Sequence, residues 1–394
     1  MKVLPGLDVL YQQEFAPLRG KSVGVLCHQA TINVDFQHIL DLLLPLHRQG
    51  KLHIQAVFGP QHGLWGHTQD NMIEWEGYRE PRSGLMIYSL YGQHRKPTPE
   101  MLKDIELMVV DLQDVGARYY TFIWTLALTM EACQEQGIPV MVLDRPNPIG
   151  GDQIEGTLLN PNFTSFVGLH PIAQRHGLTI GEIAQYLKDA FYPKVDLTVV
   201  EMKGWQRTMH FPETGLPWAM PSPNMPCYET SLVYPGMCLL EATNLSEGRG
   251  TTRPFEIFGA PWLDGWALAQ KLNELQLPGV YFRPIQFLPT FHKHADQTCE
   301  GCFIHVTDRK SFQPVRTTIA LLQEVIRQNR DNFRWKNPPY EYEYEKLPID
   351  ILAGNDWLRR WIEELKPLTE VDERLREEEK TYQKIWKQYL RYSS

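Results

Sequence analysis

The first half of the chain alternates short, nearly continuous apolar runs with stretches whose apolar residues recur at helical spacing. Lys21–Leu26 predicts a strand and Asp35–Leu46 a helix, and Leu52–Phe58, Met86–Leu90 and Leu107–Leu112 predict three more strands. Thr121–Gln136 predicts a helix ending at Gly137, because glycine readily takes the left-handed conformation that closes a last turn. Pro139–Leu143 predicts a fifth strand, leading straight into Asp144. Strands apolar on both faces and separated by helices belong to a parallel sheet covered on both sides. The expected fold class is therefore α/β: a Rossmann-like parallel-sheet lobe over 1–192, then a smaller α+β auxiliary lobe over 193–394 that closes a cleft. The division falls near Pro193, after a helix that begins over Gly181–Leu187. Beyond it Val195–Met202 predicts a strand and Phe211–Arg253 an irregular stretch rich in Pro, Asn and Gly. Trp357–Lys366 and Val371–Leu390 predict two charged helices with Trp, Ile and Leu turned inward.

A length of 394 residues suits two such lobes. The 47 acidic residues outnumber the 39 basic ones, and a net charge of −8 argues against a nucleic-acid partner, which needs a basic face to displace counterions. Met1–Leu10 has no apolar core of the signal-peptide kind, and no run approaches the ~20 apolar residues of a membrane helix. No membrane insertion and a cytoplasmic location are expected; the oligomeric state is left open. Cys27, Cys133, Cys227 and Cys238 lie in apolar surroundings and read as buried thiols. Cys299 and Cys302 form a CxxC with His292, His294 and His305 nearby, but no second pair stands at matching spacing, so no metal is expected. No strand is followed by GxGxxG, and GxxxxGK[ST] is absent; Gly6, Gly20 and Gly24 have the wrong order for a phosphate cradle, so no cofactor is expected.

Ligands of an open parallel sheet bind beyond the carboxyl ends of its strands, and the unusual polar clusters fall there. They are His28–Thr31, Gly59–Gly63 with Gln61 and His62, Asp111–Asp114, Gly116–Tyr120 with Arg118 and Tyr119, and Asp144–Pro148 with Arg145 and Asn147. Further clusters carry Glu155, Arg175 and His176, Asn224 within PSPNMP, and Glu247, Arg249 and Arg253 within EGRGTTR. Each reads equally as a capped turn or an inter-lobe brace. Taken together they describe a polar, aromatic-edged cleft. The two arginines suit a carboxylate- or phosphate-bearing small substrate.

The motifs FGPQHGLWG, YSLYGQHRKPTPEML, DLQDVGARYYTFIWT, VLDRPNPIGG, RHGLTIGE, PSPNMP and NLSEGRGTTRPFE occur in this order. In this the chain resembles the exo-β-N-acetylmuramidase (NamZ-type) family, also catalogued as DUF1343, from about Gly6 into the C-terminal helices. The resemblance implies a Rossmann-like lobe joined to an auxiliary lobe, and hydrolytic release of N-acetylmuramic acid (MurNAc) from the non-reducing end of peptidoglycan-derived glycans. It implies an amino-sugar oligosaccharide as partner, whose lactyl carboxylate Arg249 or Arg253 would suit. In one respect the chain departs from the family pattern: Pro60-Gln61-His62-Gly63 stands where many members have Pro-Glu-His-Gly, and Trp65 where Arg is common.

Glutamine cannot exchange a proton as a carboxyl group does. Three readings follow: a catalytically impaired sugar-binding protein, another carboxylate in service (Asp70, Glu74 and Glu76 being nearest in sequence), or a Gln61 that only positions substrate. The expected proton-transfer candidates are Asp114, Glu76 and Glu247, with His62, Asp111 and Gln61 completing the catalytic set. Arg118, Tyr119, Tyr120, Asp144, Arg145, Asn147, Glu155, Arg175, His176, Asn224, Arg249 and Arg253 form the expected substrate-binding set. An enzyme acting on a phosphorylated sugar is the remaining alternative.

Overall fold

The structure, a computed structural model, describes residues 2–70 and 72–393. Its strands are β1 (Ser22–Leu26), β2 (His53–Gly59), β3 (Tyr78–Arg79), β4 (Met86–Ser89), β5 (Leu107–Val110) and β6 (Val140–Leu143). They continue with β7 (Glu155–Leu158), β8 (Ala173–Arg175), β9 (Leu197–Val200), β10 (Ile257–Ala260), β11 (Val280–Phe287) and β12 (Cys299–Val306). Seven strands make one sheet in the order β3-β4-β2-β1-β5-β6-β9, parallel throughout except for β3 on β4. Every strand expected in this sheet forms within two residues of the expected ends, since each is a buried run with a turn on either side.

The first lobe extends past the expected division at 192, because β9 adds to the sheet by pairing with β6. The C-terminal helix Leu368–Trp386 also returns to this lobe. It packs on β7, and its Trp386 and Tyr382 donate to the carbonyls of Gly177 and His176, both at 2.9 Å. One continuous apolar core runs from Leu7 to Trp386 through both halves.

The second half carries the antiparallel sheet β10-β12-β11, backed by helix Gly265–Glu274, on which helix Pro314–Asn329 packs in turn. Its strand β11 is hard to read from sequence: Pro284 sits inside it, tolerated because β11 is an edge strand. The expected irregular stretch 211–253 instead contains the helix Tyr228–Met237. That helix is buried on nearly every side, which erases the amphipathic period, and Pro235 within it mimics a breaker. Cys299 and Cys302 both lie on β12 as free, buried thiols, and burial pushes them up to about 11 and about 12.

Candidate active site

Strand β2 ends at Gly59, where a side chain would collide with the Trp75 ring at 2.8 Å. Trp75 packs there and donates its indole N–H to the Pro60 carbonyl at 3.1 Å, which fixes the turn that follows. That turn delivers Gln61 and His62 into a cavity, with His62 in the left-handed region (φ 71°). Helix Phe122–Gln136 brings its N-terminal end to the same place, with Tyr119, Tyr120, Thr121 and Phe122 on the wall. The second half supplies Ser222, Asn224 and Met225, then Tyr234, Glu241, Arg249 and Phe255, and finally Tyr340 and Glu341. Arg249 is flanked by Gly248 and Gly250, both at positive φ; a side chain on Gly250 would meet the Phe291 backbone at 2.6 Å.

Gln61 joins the two halves. It accepts from the Thr121 hydroxyl at 2.5 Å and donates its amide to Glu341 Oε1 at 3.2 Å. Tyr91 donates its hydroxyl to Glu341 Oε2 at 2.8 Å. Burial, with Glu241 nearby, pushes the Glu341 carboxyl up to about 7. Burial also lowers His62 to about 4, so its ring is neutral at pH 7. Its Nδ1 lies 2.8 Å from the Thr68 carbonyl, which can only accept, so the proton sits on Nδ1 and Nε2 is the acceptor.

Beside the cavity lies a dense charge network. Arg249 pairs with Glu241 at 2.8 Å and Glu247 at 3.3 Å, while Lys293 and His292 reach Glu247 at 2.8 and 3.3 Å. Burial alone would raise Glu247, yet Lys293, His292 and Arg249 hold it well below the usual carboxylate range. It is a permanent anion. The free volume, about 30 Å³, has room for a water but not for a sugar ring. Nearby, the Asn224 amide donates to the Gln69 carbonyl at 2.6 Å and the Tyr342 hydroxyl to Glu74 at 3.1 Å.

The other strand-end residues are occupied differently. Arg145 clamps Asp111 at 2.5 and 2.8 Å. Asp114 accepts from the Gly116 N–H and from His176 at 2.7 and 3.0 Å, shaping its own turn. Asp144 accepts from Thr179, Gly181 and Tyr392 at 2.6–2.8 Å. Arg118 is fully buried and donates to the Thr157, Ile172 and Leu352 carbonyls. Arg175 holds Gln153 and the Ile149 carbonyl, Asn147 holds the Leu178 carbonyl, and Glu155 caps the Arg316 N–H. Glu76 is exposed beside a separate surface groove, and Arg253 is half-exposed against Glu256 in another. Of the expected residues, the structure therefore gathers Gln61, His62, Tyr119, Tyr120, Asn224 and Arg249 on one cavity, with Glu247 directly behind Arg249.

The comparisons with known proteins cover the same ground. Two profiles described as the N-terminal and C-terminal parts of exo-β-N-acetylmuramidase NamZ match residues 23–229 and 232–392. The chain belongs to the NamZ family. A peptidoglycan β-N-acetylmuramidase NamZ of Bacillus subtilis (strain 168) is 44% identical, over 99% of this chain and 92% of that one. Two crystal structures of DUF1343 family proteins from Bacteroides fragilis NCTC 9343 share the fold. One has a TM-score of 0.88 at 32% identity, covering 100% of this chain and 99% of the other. The second has a TM-score of 0.76 at 25% identity, with both chains fully covered.

Within this NamZ-family chain, sequence reasoning missed Glu341, Glu241, Tyr340, Tyr234 and Phe255 on the cavity wall. The available signal was the run Tyr340-Glu341-Tyr342-Glu343-Tyr344 after Pro338-Pro339, a Glu/Tyr alternation unusual outside a strand. Residues 340 and 343 bond to each other across a tight turn, and the two between them have positive φ (45° and 68°). Among the described residues no metal-binding cluster occurs and no helix is long and apolar enough to cross a membrane.

Proposed function

We propose that this glycoside hydrolase releases MurNAc from the non-reducing end of peptidoglycan-derived glycans, and that the cavity around Gln61, Arg249 and Glu341 is where the glycosidic bond is cleaved. The observation that carries the reading is the meeting of buried carboxyl groups, a fixed arginine and aromatic walls in one place. Glycoside hydrolysis needs a proton donor beside the scissile bond and a second group, a carboxylate or the sugar's own acetamide, to stabilise the cationic sugar. Tyr119, Tyr120 and Phe255 offer apolar faces to a sugar ring. Arg249, locked in place by Glu241 and Glu247, is the cation that a lactyl carboxylate would approach.

The name of the Bacillus subtilis relative supports the substrate class. Gln61, an amide that cannot exchange a proton, favours a second reading, a binder without turnover. The test is release of free MurNAc from the disaccharide MurNAc-GlcNAc, comparing the unmodified chain with Gln61→Glu. Turnover by the unmodified chain is the expected result. Activity only in the variant would make the chain a binder, and inertness of both would overturn the substrate assignment.

A further inference from the structure

We infer that Glu341 is the proton donor of this reaction, and that Gln61 is the positioning residue that orients it. The inference rests on the muramidase reading above and names the group that reading leaves unassigned.

Two carboxyl groups line the cavity. Glu241 is already paired, with the Arg249 guanidinium at 2.8 Å and the Tyr340 hydroxyl at 2.5 Å. Glu341 has a different company. Among the described residues its two hydrogen-bond donors are neutral, an amide at 3.2 Å and a phenol at 2.8 Å, and the charges that act on it from farther off, Glu241 and Arg249, oppose each other. Burial favours the protonated form and outweighs the Tyr91 and Gln61 donors and the Arg249 charge, so the Glu341 carboxyl is pushed up to about 7.

The backbone at this point is unfavourable for its side chains. Glu341 and Tyr342 occupy two successive left-handed positions, a turn normally left to Gly and Asn. The turn is held by neighbours on the first lobe: the Arg95 guanidinium lies 3.8 Å from the Tyr342 ring centre, and Tyr91 meets that ring edge-on at 5.6 Å. Strain maintained by surrounding contacts at a cavity wall is what a fixed functional group needs.

Gln61 then has a physical role. Because Thr121 donates to its Oε1, its Nε2 is the end turned to Glu341. A carboxyl at position 61 would set two ionisable groups side by side, and the pair would share one proton. The amide removes that competition and leaves the proton on Glu341.

In the step itself, the C1–O bond breaks and both its electrons go to the leaving oxygen, which takes the Glu341 proton and departs as the alcohol of the next sugar. Water forms the new C1–O bond. The proton released by that water restores the Glu341 carboxyl.

The test compares MurNAc-GlcNAc with 4-nitrophenyl β-MurNAc, whose nitrophenolate leaves without protonation. Glu341→Gln is expected to lower kcat/KM on the disaccharide by ~100-fold to ~10,000-fold, and on the nitrophenyl glycoside by less than ~10-fold. The fall of kcat/KM above about pH 7 disappears in that variant. Glu341→Asp, which retains an acid on a shorter stem, gives an intermediate loss and keeps a basic limb. Gln61→Leu moves that limb to higher pH, because the amide N–H that favours the carboxylate is gone. The inference is overturned if Glu341→Gln leaves disaccharide turnover within ~3-fold, or lowers both substrates equally. Inertness of the unmodified chain toward both glycosides would overturn the muramidase reading itself, which is a separate failure.

Discussion

Two places beyond the strands of the large sheet collect buried charge, and they use it in opposite ways. At the crevice between β1 and β5, where the strand order reverses, Asp111 and Arg145 close on each other. His28 there accepts from the Gln113 N–H at 2.9 Å, and His38 lies within hydrogen-bond distance of Thr31 and the His28 carbonyl, both at 3.0 Å. Ligands of open α/β sheets commonly sit in this kind of crevice, and a cavity of about 20 Å³ remains here beside Gln113 and Arg145, with the Asp111–Arg145 pair closed on itself. One strand along, beyond β2, Gln61 and Glu341 meet across the two halves and face an enclosed space. The Asp111–Arg145 pair satisfies itself and braces the fold, whereas Glu341, held by an amide and a phenol, is on the proposed reading the group with a proton to transfer. Richness in polar residues does not separate the two; partner chemistry does.

The comparison can be broken by substitution, starting with the largest effect. Asp111→Ala strands the buried Arg145 guanidinium without its charge partner, and loss of a buried pair by one member costs about 3–5 kcal/mol. A denaturant or thermal melt should show that loss, and an unchanged melt would remove the bracing role.

A smaller effect comes from pH. The Glu341 carboxyl stands at about 7 in the folded chain against 4.5 for a free one. Its contribution is present below about pH 4.5 and is lost as pH rises through 7, since the unfolded chain gives up the proton first. Glu341→Gln abolishes that dependence, so between pH 4.5 and 8 the variant should gain about 3 kcal/mol relative to the unmodified chain. Parallel melting curves for the two proteins across this range would contradict the buried neutral carboxyl.

Smallest of all is Glu76→Gln. This side chain is exposed and away from the cavity, so stability should stay within about 0.5 kcal/mol. Turnover should be unchanged; a loss of turnover would reopen the loop carboxylates as proton donors.

The parallel sheet was legible because its strands are short buried runs punctuated by turns. The second half was less so: the edge strand β11 carries Pro284, and the buried helix Tyr228–Met237 has neither a polar face nor an uninterrupted sequence. The cavity was legible where it follows strand ends or distinctive loops, as with Gln61, His62, Tyr119, Tyr120, Asn224 and Arg249. Asp114 and Asp144 share those signals, but Asp144 is taken up by Thr179, Gly181 and Tyr392, and Asp114 holds the Gly116 N–H and His176 through Oδ2 while its buried Oδ1 has no hydrogen-bond partner among the described residues. Local sequence does not distinguish a carboxylate that caps its own turn from one that faces a substrate. Glu341 escaped notice for the converse reason. It belongs to the 340–343 turn and reaches the site only because Tyr91, Arg95 and Gln61 receive that turn from across the fold.

The most direct test sets the two regions against each other in one assay. Release of MurNAc from MurNAc-GlcNAc should be measured for Glu341→Gln and Asp114→Asn side by side, each against the unmodified chain. Glu341→Gln should fall by ~100-fold or more, while Asp114→Asn, which keeps the shape of its turn, should stay within ~10-fold. The reverse order would place the chemistry at the Asp114 turn and contradict the account.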